Sequence, residues 1–293
     1  MKQATLSRIW QQAAGQKNGD SDDDDQFLLL VSLRQNNLQS TNEATSGAAD
    51  RSLFQYHQAM DDTLAALDPP CGSPLEELPG FDVTAGRTWI YPTNYPCREY
   101  QFNIVKSCLY HNTLVILPTG LGKTFIAAVA MYNFYRWYPC GKIIFTAPTK
   151  PLVAQQIEAC FNIMGIPLED TVEMTGTMQA EHRKKAWREK RVFFLTPQVM
   201  ANDLLRGACP PKDVKCVVID EAHKALGNYA YCQMVSELMK YTREFRVIAL
   251  SATPGSDITA VQKVLKNLMI SHVELRTEES LDIQKYTQER SIE

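Results

Sequence analysis

TLVILPTGLGKT, residues 113–124, decides how the rest of the chain is read. Thr113 to Leu117 is a short, β-prone apolar run that Pro118 ends, and Thr119-Gly-Leu-Gly-Lys-Thr124 then opens a long helical pattern. A strand running through a glycine turn into a helix grips phosphate. The glycines let successive N–H groups turn inward on an anion, and the helix presents its positive end. In that arrangement Thr119, Gly120 and Gly122 shape the turn, Lys123 reaches the β- and γ-phosphates of ATP, and Thr124 holds Mg2+. The strict G-x-x-x-x-G-K-[ST] spacing is not met, because Leu117 stands five before Gly122. A glycine turn beside a surface lysine would look the same, so the second half of a nucleotide site has to be sought elsewhere.

Downstream, two periods alternate. Helix 124–137 is followed by strand 142–146, helix 151–164, strand 171–174, helix 179–189, strand 192–195 and helix 198–205. Strand 215–219, helix 231–241, strand 246–250, helix 258–268 and strand 272–275 complete the series. Val/Ile-rich strands alternating with helices predict an α/β fold, a parallel sheet with helices on both faces. Ligands in such a fold gather at the carboxyl ends of the strands.

The partner of the phosphate turn lies in Cys216-Val-Val-Ile-Asp-Glu-Ala-His223, an apolar strand delivering two carboxylates to its end. Asp220 can hold the metal and Glu221 can orient or deprotonate the water that attacks the γ-phosphate. An acidic helix start is common by itself. It becomes informative because the phosphate turn precedes it and Ser251-Ala-Thr253 ends the next strand. Other strand ends carry Pro148-Thr149-Lys150, Thr175-Gly176 and Thr196-Pro197. Hydroxyls and N–H groups at helix starts bind phosphodiester oxygens without reading bases, so these are candidates for a nucleic-acid face, although each alone also reads as a plain cap or turn. Arg183, Lys184, Lys185, Arg188, Lys190 and Arg191 cluster nearby in sequence, as a solvated helix face or as backbone contacts.

Composition bounds the class. The chain has 293 residues, 45% of them apolar, which suffices for a sizeable core. No apolar run of membrane-spanning length and no secretory signal pattern is present. The eight cysteines form no C-x-x-C pair, which argues against a zinc site and for a reducing compartment. The net charge is −3, with an acidic first 88 residues ahead of a mildly basic body.

Residues 1–88 read as a disordered acidic tail, rich in Gln, Asn, Ser, Asp and Gly, with an acidic run at Asp20 and Asp22 to Asp25 around Ser21. Gln3, Leu6, Ile9 and Trp10 have the spacing of a sliding-clamp-binding peptide or of a disordered end that matches it by accident. Order is expected to begin near Trp89, with an ATP-binding lobe over 89–280 and the start of a following segment over 281–293. Arg276 and Arg290 read as surface residues of the charged C-terminal stretch.

The form LPTGLGKT, together with WIYPTNYPCREYQ, APTKPLVAQQIEAC, LTPQVMANDL, VIDEAHKALGNYAYCQ and ALSATPGSD, resembles the Fanconi anaemia group M family of Hef-like, DEAH-box superfamily 2 helicases over about residues 89–290. The resemblance implies a RecA-like first motor lobe, in which Gln101 reads adenine, His223 belongs to the DEAH motif, and Ser251 and Thr253 couple the nucleotide site to DNA. It implies a nuclear, ATP-driven DNA translocase that remodels forks and four-way junctions and anchors the Fanconi core complex. Family members also carry a second RecA-like lobe with arginines that complete the ATP site. That lobe is not in these 293 residues, so the chain reads as a truncated product or a partial record. A catalytically silent binding fragment and an RNA-sensing helicase relative are the alternatives.

Overall fold

The computed structural model describes residues 79–253, 255, 258–284 and 286. The tail motifs, namely the acidic run and Gln3, Leu6, Ile9 and Trp10, lie outside the described residues, as does Arg290.

Among the described residues seven strands form one parallel sheet: β1 (Thr113–Ile116), β2 (Lys142–Thr146), β3 (Thr171–Met174), β4 (Val192–Leu195), β5 (Val214–Ile219), β6 (Arg246–Ser251) and β7 (His272–Leu275). Their spatial order is β3-β4-β2-β5-β6-β1-β7. β1 therefore lies between β6 and β7, while β2 pairs with β4 and β5. The chain leaves β1, crosses over β6 and β5, and returns on their far side. That reversal of winding is where doubly wound sheets open a crevice for ligands.

Side chains of the strands alternate between two cores, as the twofold period of a strand requires. Val115, Leu117, Ile143, Phe145, Phe194, Val218 and Leu250 face one layer. That layer is built by helices α2 (Glu99–Tyr110), α3 (Lys123–Trp137) and α4 (Lys150–Met164). Leu114, Ile116, Ile144, Phe193, Leu195, Val217, Ile219 and Ala249 face the other. There α5 (Ala180–Glu189), α6 (Pro197–Leu205), α7 (Ala230–Met239) and α8 (Ile258–Asn267) cover the sheet. Central strands buried on both faces explain the uninterrupted apolar runs of the sequence. α3 is buried on nearly all sides because α2 and α4 flank it, and Asn133 within it is satisfied by Val129 O and by both main-chain groups of Ile90.

The folded part begins before Trp89. The short helix α1 (Val83–Gly86) is capped by Asp82, whose Oδ1 accepts from Thr84 N and Ala85 N. Asp82 N donates to Trp137 O, and Phe81 packs edge-on against Trp137 and Tyr138. This aromatic anchor sits in a polar stretch too short to register as core. The lobe also continues past residue 280. Ile283 is fully buried, and Tyr286 packs on Tyr100 of α2 at 5.4 Å between ring centroids.

Two further expectations change. Of the six cations of 183–191, Arg183 is buried and its Nε lies 3.0 Å from both carboxylate oxygens of Asp203. Arg191 stacks on Tyr135 at 3.8 Å and donates to Tyr135 O and Tyr138 O, and Lys190 Nζ donates to Glu169 O. Only Lys184, Lys185 and Arg188 remain as an exposed face. Arg276, expected on the surface, is held by Glu274 at 3.2 Å and Asp282 at 2.6 Å with a side chain only 13% exposed.

Candidate nucleotide site and nucleic-acid cleft

The phosphate turn leaves β1 with Gly120 and Gly122 at φ +83° and +87°, a region only glycine enters without cost. At Gly122 a Cβ would also lie 2.3 Å from Gln101 Nε2, so the side chain of α2 closes over the turn. Gln101 is buried and its Nε2 donates to Leu121 O at 3.2 Å, while Tyr100 OH donates to the same carbonyl at 2.9 Å. Gln101 is thus packed on the phosphate turn itself. Thr119 and Gly120 are exposed at its apex. Lys123 Nζ donates to Leu117 O at 2.7 Å and Pro118 O at 3.4 Å, folded into the space the turn encloses.

Asp220 ends β5, two strands from β1, and is 8% exposed. Burial raises its carboxyl above the ordinary carboxylate range, and the neighbouring Glu221 adds to this. The Glu221 N–H, Lys123 and His223 pull the other way. Lys123 and Asp220 therefore share one electrostatic environment. Asp220 Oδ1 accepts from Glu221 N at 3.0 Å, and Asp220 O accepts from the buried Tyr231 OH at 2.6 Å. Glu221 adopts φ +52°, the left-handed region that a side chain with a Cβ occupies at a cost.

A chain of polar contacts then crosses to β6. His223 Nδ1 lies 3.4 Å from Glu221 Oε2 and 3.0 Å from Ser251 Oγ, and Ser251 Oγ contacts both Thr253 O at 2.5 Å and Thr253 N at 3.3 Å. The Asp-Glu-x-His and Ser-x-Thr stretches, 28 residues apart at His223 and Ser251, are in direct contact because β5 and β6 are neighbours.

The donors at the site are a threonine hydroxyl, Thr124, and a carboxylate, Asp220. These hard oxygen ligands fit Mg2+, which is ordinarily held by one or two protein oxygens together with substrate phosphates. Among the described residues no three His, Cys, Asp or Glu side chains gather into a metal cage.

Beside this site lies a cleft of about 540 Å3. Pro148, Thr149 and Lys150 from β2–α4, Thr196, Pro197 and Gln198 from β4–α6, and Asn228, Tyr229 and Ala230 before α7 line it. Three helix N-termini therefore converge. Their N-cap residues, Thr149, Thr196 and Tyr229, make no side-chain capping hydrogen bond. Thr175 and Gly176 do not join them. They follow edge strand β3, outside the lining, with Thr175 Oγ1 against Thr177 Oγ1 at 2.9 Å. Sequence reasoning missed Asn228 and Tyr229 as cleft residues. They lie in the segment between Ala225 and Tyr231, which makes a turn before α7.

The DEAD/DEAH box helicase family matches residues 98–261, which runs from Arg98 before α2 into α8 and includes every element of the site just described. The chain belongs to that family. Over 227 residues it is 66% identical to the Fanconi anemia group M protein homolog of Mus musculus, covering 78% of this chain and 11% of the relative. It is 54% identical over 221 residues to the DEAD-box ATP-dependent DNA helicase Fancm of Drosophila melanogaster, covering 74% of this chain and 15% of the relative. The helicase domain of Pyrococcus furiosus Hef superposes with a TM-score of 0.61 at 41% identity, over 65% of this chain and 40% of that one. The expected RecA-like helicase lobe is thereby established. The chain spans between a tenth and a sixth of the length of these two curated relatives. No helix among the described residues is long and apolar enough to cross a membrane.

Proposed function

We propose that this chain is the first motor lobe of an ATP-driven DNA helicase or translocase that works on branched DNA, forks and four-way junctions, in nuclear DNA repair. The observation that carries the reading is the His223–Ser251 contact. It ties the carboxylate pair at the end of β5 to β6, the strand beside the phosphate turn. Lys123 binds the β- and γ-phosphates after leaving its main-chain partners, Thr124 and Asp220 hold Mg2+, and Glu221 orients the attacking water. Magnesium would supply neutralisation of the phosphate oxygens. Gln101, already on the turn, fixes its shape and accepts the adenine edge.

Thr149, Lys150, Thr196, Pro197 and the N-termini behind them receive the phosphodiester backbone, which suits movement along any sequence. The DNA-helicase names of the Drosophila melanogaster and Pyricularia oryzae relatives support DNA as the track, while the Arabidopsis thaliana relative, 54% identical, carries an RNA-helicase name. The Fanconi group names support the Fanconi core complex as a partner. The spacing of Gln3, Leu6, Ile9 and Trp10 is the support for a sliding-clamp contact.

Lys123→Ala tests the site. Loss of a charge-assisted contact to a desolvated phosphate weakens ATP binding about 10- to 100-fold by calorimetry. Equal affinity of variant and parent would overturn the assignment.

A further inference from the structure

α4 packs its inner face on the sheet through Val153, Cys160 and Met164. Gln156 falls three residues after Val153 and four before Cys160, on the same stripe. Its neighbour Gln155 is exposed, as a glutamine on a helix surface ordinarily is. Gln156 is half-buried, and its amide has a specific partner: Thr124 Oγ1 donates to Gln156 Oε1 at 2.8 Å. The same stripe of α4 also passes near Asp220 at Cys160. Burial, and secondarily the nearby Asp220 carboxylate, push the Cys160 thiol well above its ordinary value.

A threonine hydroxyl that ligates a cation uses an oxygen lone pair, and its proton has to be pointed away from the metal. An acceptor fixed on a neighbouring helix sets that orientation before the metal arrives, and removes the choice of donating to a water or a phosphate in the coordination sphere. We infer that Gln156 is a positioning residue for the divalent cation: its side-chain oxygen holds the Thr124 hydroxyl in the orientation that leaves the lone pairs for Mg2+. The inference rests on the nucleotide-site reading above. It acts through Thr124 and touches neither nucleotide nor metal.

The test is a comparison of the 293-residue chain with Gln156→Ala and Gln156→Glu, which keeps an acceptor oxygen at the same reach. ATP affinity is measured by calorimetry in EDTA and across a Mg2+ titration, with a thermal melt on each variant. Gln156→Ala is expected to leave Mg2+-free ATP affinity unchanged and to raise the Mg2+ concentration for half-maximal enhancement about 3- to 10-fold, the worth of one oriented hydrogen bond. Gln156→Glu should restore most of it. An unchanged Mg2+ dependence in Gln156→Ala, with ATP binding intact, overturns the positioning role alone. Equal loss of affinity with and without Mg2+ also overturns it, since that is the mark of a merely structural contact. A parent chain that binds no ATP under any condition overturns the nucleotide reading and this inference with it.

Discussion

Glu221 shows how a single residue is bent to the site. Its left-handed φ costs on the order of 1–3 kcal/mol, and what holds it there is visible: the preceding carboxylate accepts its N–H, Tyr231 grips the preceding carbonyl, and His223 meets its own carboxylate. The result is two carboxyl groups on consecutive residues with opposite surroundings, Asp220 buried and Glu221 about one-third exposed. One suits a cation and the other a water. Away from the site, Asp203 carries comparable weight for stability. It is 1% exposed and accepts from Arg183 Nε with both oxygens and from Trp187 Nε1 at 2.9 Å. Asp203→Ala leaves a buried guanidinium and an indole N–H without their acceptor. It should cost about 3–5 kcal/mol in urea unfolding. A loss below 1 kcal/mol would mean that Arg183 finds solvent when its partner is gone.

At the level of elements, the two ends of the sheet are electrostatically opposite. At the amino ends of the strands, helix C-termini are met by cations: Arg191 Nη2 binds Tyr135 O and Tyr138 O at the end of α3, and Lys142 Nζ binds Lys190 O, just past α5, at 2.6 Å. At the carboxyl ends, helix N-termini converge with few side-chain caps, and anions are the natural complement. Lys150, exposed at the start of α4, adds a full charge there. Lys150→Ala should weaken binding of duplex DNA equally for unrelated base sequences and reduce the slope of log affinity against log salt by about one, measured by fluorescence anisotropy. A loss confined to one sequence would contradict a backbone contact. The strands and helices themselves were legible, because central strands are unbroken apolar runs and Gly, Pro and hydroxyl residues mark their ends. The three nucleotide motifs were legible for the same reason, each being a local pattern at a strand end. What local pattern could not give was the partner across space. Arg183 read as one of six surface cations because Asp203 lies 20 residues on. Phe81 read as tail because its partner Trp137 lies far along the chain in α3, and Tyr229, which follows β5, joins the cleft because β5, β2 and β4 are neighbours.

At the scale of the whole molecule, the question is whether one lobe completes the chemistry. The phosphate turn, Asp220 and Glu221 bind Mg·ATP and orient a water in the proposed reading, but charge developing on the γ-phosphoryl group is commonly met by an arginine as well. In related phosphoryl-transfer enzymes that arginine is worth roughly 10³–10⁵ in rate. The arginine after β6 whose contacts are described is Arg276, and it is committed. Its Nε and Nη1 bind Asp282 and Glu274, and Glu274 is itself fixed by His272 and Ser107 on edge strand β7, three strands from the carboxylate pair. Releasing it would leave the half-buried Glu274 carboxylate short of a charge partner. Burial alone would raise that carboxyl, yet the hydrogen bonds from His272 and Ser107 and the Arg276 charge hold it below its ordinary range. The ion pair is thus a structural clasp on β7 and not a reservoir for catalysis. This 293-residue chain, assayed by itself, should therefore hydrolyse ATP about three or more orders of magnitude more slowly than a two-lobed relative. Added forked DNA should bind without restoring the rate. The measurement is steady-state ATP hydrolysis with and without forked DNA, beside a Glu221→Gln control that removes the water-orienting carboxylate. Robust DNA-stimulated turnover abolished in that control would mean that the missing charge comes from within this lobe or from a second copy of it, and the division of the active site between two lobes would have to be given up.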